Sequence, residues 1–136
     1  MDSIILDTGP LIAYLNPHDR HHQWAIKILS SVNLPLRSCE AVIAEAYFLL
    51  RRDHIAADAL MRLLEAGIIQ IPFSLTHEIF ALRELMRRYQ SVPMSLADAC
   101  LVRMSELDSK SKVLTLDSDF LIYRRDRNAI IPIIMP

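Results

Sequence analysis

"SIILDTGP", residues 3–10, decides how this chain is read. A short apolar run from Ser3 to Leu6 has the character of a buried strand and stops abruptly at Asp7. Pro10 then opens a helical pattern lasting to Asn16, in the first turn, where a missing N–H costs little. A strand thus hands a carboxylate to the turn that begins a helix. In sheets built from alternating strands and helices, ligands bind beyond the carboxyl ends of the strands. The turn is where a site would be built.

Working outward, "KVLTLD" (residues 112–117) repeats the arrangement with a second strand ending in Asp117. Between the two, apolar spacing predicts helices over Arg20–Ser31, Glu40–Arg52, Ala56–Ala66, Thr76–Tyr89 and Leu96–Leu107. Gly67 supplies a stop for the Ala56–Ala66 helix. Strands are predicted at Leu34–Ser38, at "IIQIP" (68–72) and at "AIIPII" (129–134), the last an edge strand because it contains Pro132. Strands alternating with helices point to an α/β domain with a mainly parallel sheet.

Composition sets the bounds. The 136 residues suit one domain, 1–136, and 52% apolar residues with a mean hydropathy of +0.24 exclude disorder. No apolar run approaches the roughly 20 residues that span a bilayer, and no basic segment precedes the first apolar stretch. A soluble, cytoplasmic protein with no membrane association is expected. Cys39 and Cys100 lack metal-ligand spacing and read as reduced core thiols. A net charge of −1 argues against a molecule-wide field for nucleic acid, although basic clusters stand at Arg51–Arg52, Arg87–Arg88 and "YRRDR" (123–127).

The helices also carry carboxylates in apolar settings. The helical neighbours of Glu45 are Ala41, Val42, Phe48 and Leu49, none able to pair with it. A charge on that apolar stripe needs compensation if buried. Asp98 sits among Met94, Ser95, Leu101 and Val102, with Ser95 and Asp98 also forming a capping pattern. Asp7 can serve as a cap, and "TLDSDF" (115–120) can be an Asx turn around Asp117 and Asp119. Each local role is sound alone. Two strand-end aspartates and two helix carboxylates together suggest convergence. Crowded carboxylates repel one another, and a hard divalent cation with oxygen ligands removes that repulsion. Such a site hydrolyses phosphodiesters.

Four segments, "ILDTGPLIAYLNPHDRHHQWA", "CEAVIAEAYFLLRR", "MSLADACLVRMSE" and "VLTLDSDF", carry acids in the order Asp, Glu, Asp, Asp. In this the chain resembles a PIN-domain ribonuclease, specifically a VapC-type toxin of a type II toxin–antitoxin pair. The resemblance runs through almost the whole chain. It implies a three-layer α/β/α fold with a five-stranded parallel sheet and Mg²⁺- or Mn²⁺-dependent cleavage of RNA. It carries over Asp7, Glu45 and Asp98 as the acidic core, and Asp117 as the fourth acid, with Asp119 a nearby substitute. Thr8 and Ser95 match supporting hydroxyl positions. A cognate antitoxin covering the acidic groove and a homodimer are implied partners. Arg51, Arg52, Arg124 and Arg125 are candidates for flanking RNA phosphates.

The chain departs from the family at "SCEAV", where relatives often begin the helix with Ser/Thr-Pro. That adds Glu40, read as complementing the helix dipole. Tyr47, Phe48 and Leu49, beside Leu60, Leu63 and Leu64, suit either an interaction surface or core packing. A haloacid-dehalogenase-type phosphohydrolase needs an aspartate where Gly9 stands, and a receiver module needs a lysine near residues 115–117, which are Thr, Leu and Asp. The histidines of "HDRHH" (18–22) read as ordinary exposed loop residues. The alternative to an enzyme is a catalytically inactive PIN-like scaffold that binds RNA or a protein.

Overall fold

The computed structural model describes residues 2–136. In chain order the elements are β1 (Ser3–Leu6), α1 (Thr8–Leu15), α2 (His22–Ser31), β2 (Leu36–Arg37), α3 (Glu40–Leu49), α4 (His54–Glu65) and β3 (Ile69–Gln70). They continue with α5 (Ile79–Arg88), α6 (Leu96–Leu107), β4 (Ser111–Leu114), a 3-10 turn (Ser118–Leu121), β5 (Arg124–Arg125), β6 (Ala129–Ile130) and β7 (Ile133–Ile134). Five strands form one parallel sheet in the order β3-β2-β1-β4-β7. β1 lies at its centre, in register with β4 from Ser3–Ser111 to Leu6–Leu114.

Alternation along these strands explains the layers, since successive side chains point to opposite faces. Ile5 and Val113 enter one apolar cluster with α5 and α6 residues such as Leu82, Leu85 and Leu101. Ile4, Leu6 and Leu114 enter the other with Leu11, Ala46 and Leu60 from α1, α3 and α4. Helices therefore cover both faces, as a parallel sheet requires. The expected three-layer α/β/α architecture is present. Cys39 and Cys100 are free, buried thiols of the first cluster.

Local chemistry fixes the boundaries. Asp53 caps α4 by accepting from the Ile55 and Ala56 N–H groups, so that helix starts at His54 and the preceding one ends at Leu49 rather than Arg52. At the other end of α4, Ile68 N–H donates to Leu63 O and Gly67 N–H to Leu64 O, with Gly67 at φ +74°. That is the closing pair of a left-handed C-terminal cap, for which glycine is suited.

The expected single strand over residues 129–134 is instead two. β6 pairs antiparallel with β5 outside the main sheet, while β7 forms the sheet edge. Pro132, which lacks an N–H, stands between them and accepts from Val113 N–H through its carbonyl. The edge position itself is as expected. Among the described residues no helix is long and apolar enough to cross a membrane.

Candidate functional site

The four expected acids, Asp7, Glu45, Asp98 and Asp117, come from four segments to line one cleft of about 850 Å³, which Asp19 of the loop after α1 also lines. Asp7 directly follows β1, and Asp117 lies three residues beyond the carboxyl-terminal end of β4. Asp7 caps α1, its Oδ1 accepting from Thr8 N–H at 2.7 Å. Its Oδ2 accepts from the Thr115 hydroxyl at 2.7 Å, and its own N–H donates to Leu114 O, extending the β1–β4 pairing into the turn. Gly9 lets the start of α1 pack close to Leu116: a Cβ there would meet the Leu116 Cβ at 3.1 Å, a contact the neighbour would have to relieve by a few tenths of an ångström.

Asp117 caps the 3-10 turn by accepting from Asp119 N–H at 2.9 Å. Its N–H donates to the Thr115 hydroxyl at 2.9 Å. Thr115, fully buried, therefore ties the two strand-end acids together through one oxygen. Asp98 lies in the first turn of α6, where Ser95 accepts its N–H at 3.0 Å. Its Oδ2 accepts from the Tyr123 hydroxyl at 2.9 Å. The Tyr123 ring is itself wedged edge-on against Phe120 and Tyr89, with centroids 5.3 and 5.2 Å away. Glu45 accepts from the Thr8 hydroxyl at 3.1 Å.

The electrostatics follow from this crowding. Asp7 is only 7% exposed. Burial, opposed by hydrogen bonds from Thr115 and Thr8 and aided by the Asp98 and Asp117 charges, holds its carboxyl up at about 6. Asp98 is also raised, first by burial and then by Asp117, against the Tyr123 hydrogen bond. Tyr123 is driven well above the usual phenol value by burial and by the Asp98 carboxylate beside it. Among the described residues, no ion pair involves any of the four acids.

That donor set is all oxygen, negatively charged and uncompensated, which fits a hard divalent cation. Among the described residues, no group of three or more His, Cys, Asp or Glu side chains is arranged closely enough to hold a metal ion. An open, acid-lined cleft is nevertheless what a hydrated ion uses, because Mg²⁺ takes one or two carboxylates and keeps several waters.

Several sequence expectations need correction. Glu45 is exposed at the cleft rather than buried on an apolar stripe: α3 buries Val42 and Ala46 and turns Glu45, Tyr47, Phe48 and Leu49 outward. Leu60 is fully buried, and Leu63 and Leu64 are partly buried against the core, so that apolar group divides between surface and interior. Asp119 is outside the cleft lining, since the 3-10 turn that Asp117 caps carries it away.

None of Arg51, Arg52, Arg124 and Arg125 lines the cleft. Arg51 stacks on Phe48 at 4.0 Å and donates to the Phe48 carbonyl. Arg124 donates to carbonyls of residues 121–123, and Arg125 to those of Ser105 and Ser109, pinning the β5 strand to its surroundings. Sequence reasoning missed Thr115 and Tyr123. Thr115 had a visible signal, as a hydroxyl two residues before Asp117; Tyr123 had none, because only the fold brings it to Asp98.

Replacing Thr115 with valine keeps the shape but removes the donor to a buried carboxylate. The expected destabilisation is about 1–3 kcal/mol. It should be larger at pH 8 than at pH 5, because a hydroxyl bonds an ionised carboxylate more strongly than a neutral one. Urea unfolding at the two pH values measures it; equal losses would contradict the hydrogen bond to charged Asp7.

Comparison with known proteins gives a consistent picture. The model of the family described as PIN domain matches residues 4–126. Among solved structures, VapC20 of Mycobacterium tuberculosis, described as a Sarcin-Ricin loop cleaving toxin, aligns with a TM-score of 0.77 at 21% identity. The alignment covers 86% of this chain and 92% of that one. FitAcB from Neisseria gonorrhoeae aligns with a TM-score of 0.57 at 21% identity, over 85% and 88%. These likenesses speak for the fold. Among curated proteins, no significant match is found.

Proposed function

The chain belongs to the PIN domain family, and from that premise we propose that it is a divalent-metal-dependent endoribonuclease acting as the toxin of a toxin–antitoxin pair. The observation that carries this reading is the convergence of Asp7, Glu45, Asp98 and Asp117 on one cleft with no cation paired to any of them. Asp7, Glu45 and Asp98 would hold Mg²⁺ or Mn²⁺ directly or through water, with Asp117 completing the pocket. Bound there, the ion would supply Lewis-acid neutralisation of phosphodiester charge and activation of water.

The residues of the chain do the positioning. Thr115 fixes the Asp7 carboxyl from one side and the Thr8 N–H from the other, so neither oxygen is free to rotate away. Tyr123 and Ser95 fix Asp98, and the Thr8 hydroxyl steadies Glu45. Such second contacts commonly matter 10- to 100-fold to an acid site.

The proposed partners are RNA as substrate and an antitoxin whose segment covers the cleft mouth. Leu49 lines that mouth, and it is continuous in sequence with exposed Tyr47 and Phe48. The whole chain would act as one cytoplasmic domain, with a second copy as a further candidate partner for exposed apolar groups. Incubation of purified protein with RNA and Mn²⁺, with and without a chelator, is the test. Cleavage abolished by the chelator is expected; cleavage unaffected by it would refute the metal, and RNA binding without any cleavage would favour the inactive scaffold.

A further inference from the structure

The acid cleft has a charge problem. Asp7, Asp19, Glu45, Asp98 and Asp117 all line it, and a phosphodiester chain entering would meet five carboxylates. Arg20 is the one Lys or Arg side chain among the described lining residues. It comes from the loop between α1 and α2, within the "HDRHH" stretch whose chemistry the acids alone leave unused.

Its surroundings leave it free to act outward. Arg20 is exposed and, among the described residues, makes no ion pair with any carboxylate, including neighbouring Asp19. The Asp19 carboxylate instead accepts the His21 N–H at 2.8 Å. Arg20 donates through Nε to His21 Nε2 at 3.1 Å, leaving its two terminal nitrogens without partners among the described residues. The His21 ring is braced edge-on against Trp24 at 6.4 Å, and neighbouring His22 is tied through Nδ1 to Ala13 O at 2.7 Å. The loop is thus anchored on both sides while the fork of the guanidinium stays open. Among the described residues, Arg52, Arg83 and Arg127 also form no ion pair, but none of them lines the cleft.

We propose that Arg20, oriented by His21, binds the RNA phosphate held in the acid cleft and thereby sets the affinity of the site for its polyanionic substrate. This rests on the ribonuclease reading above. A guanidinium fork grips two phosphate oxygens at once, which a lysine ammonium does not reproduce. The binding face is also local. Positive charge at the cleft supplies what a chain of net charge −1 cannot supply as a whole.

The test is cleavage of a labelled single-stranded RNA with Mn²⁺, comparing the parent with Arg20→Ala, Arg20→Lys and, as a control outside the cleft, exposed Arg83→Ala. Arg20→Ala is expected to raise KM by roughly 10- to 100-fold, the scale of one charge-assisted contact of about 1.5–3 kcal/mol. Arg20→Lys should recover only part of that loss. The slope of log affinity against log salt should flatten by about 0.7, the value for one phosphate contact on a single strand. His21→Ala should raise KM by a smaller factor, and His21→Gln, which keeps an acceptor, should restore it.

Stabilisation of the protein by Mn²⁺ alone should survive in Arg20→Ala, which separates loss of phosphate binding from loss of the ion. A KM and salt slope unchanged in Arg20→Ala overturn the proposal while leaving the ribonuclease reading standing. Should the parent fail to cleave, anisotropy of the same RNA decides: equal binding by parent and Arg20→Ala, or no binding by either, overturns it, and selective loss in the variant supports it.

Discussion

Replacing Asp7 with asparagine is expected to abolish chelator-sensitive cleavage of RNA, by about 10³-fold or more, with the fold intact. Removing one preorganised electrostatic group from an active site typically loses 10²–10³ in rate. Asp7 does more than one such job in the proposed reading. It is the most buried of the four acids, it adjoins the Asp98 and Asp117 charges, and it is gripped by two donors. Asparagine fills the same volume and retains an acceptor for Thr8 N–H, so circular dichroism and urea unfolding should report a folded protein. The same substitution scale is expected for Asp98→Asn. A folded Asp7→Asn protein that cuts RNA at the parental rate in Mn²⁺ would falsify the assignment of the acid cleft as the reaction centre.

The second large effect concerns stability rather than turnover. In the metal-free protein Asp7 titrates near 6, against an ordinary value of 3.8, chiefly because burial disfavours its charge. The folded state therefore binds more protons than the unfolded state between about pH 4 and 6. Stability attributable to this group falls as pH rises through that window and is level above it. At about 1.4 kcal/mol for each tenfold change in proton affinity, the difference amounts to about 3 kcal/mol.

Divalent ion should reverse the loss. A ligand at a hundredfold excess over its Kd stabilises by about 2.7 kcal/mol. At pH 5 the proton on Asp7 competes with the ion and the gain shrinks. Urea unfolding of parent and Asp7→Asn from pH 4 to 8, with EDTA or Mn²⁺, measures both effects. The stability of parent relative to variant should decline from pH 4 to 6 in EDTA, and Mn²⁺ should stabilise the parent at pH 8 far more than the variant. A relative stability that rises with pH would contradict the raised carboxyl value, and absence of Mn²⁺ stabilisation at pH 8 would count against an ion in the cleft.

How far the sequence could carry this reading depends on the range of each interaction. β1, its terminal Asp7 and the helix that follows were legible because strand alternation, a cap and Pro10 are all local. The Ser95 cap of Asp98 was legible for the same reason. The exposure of Glu45 was not. It depends on α3 presenting Tyr47, Phe48 and Leu49 outward, which an apolar pattern alone reads as burial. The break in "AIIPII" was hidden as well, because Ala129–Ile130 finds its partner in Arg124–Arg125 through a turn with Asp126 and Arg127 at positive φ and no glycine to announce it. Arg124 and Arg125 looked like free cations, but backbone carbonyls occupy them. Arg20 looked incidental until the cleft gave it a place.

The link from Thr115 to Asp7 joins residues 108 apart in sequence. During synthesis, the first strand leaves the ribosome long before the one that braces its aspartate. Until residues through Tyr123 have emerged and docked, Asp7 lacks its hydroxyl donor and Asp98 its phenol. A polypeptide interrupted before Thr115 carries three of the four acids in sequence yet lacks both the hydroxyl and the phenol that hold them. On the proposed ribonuclease reading, partial translation products of this chain would therefore be harmless to the RNA that surrounds them at their birth.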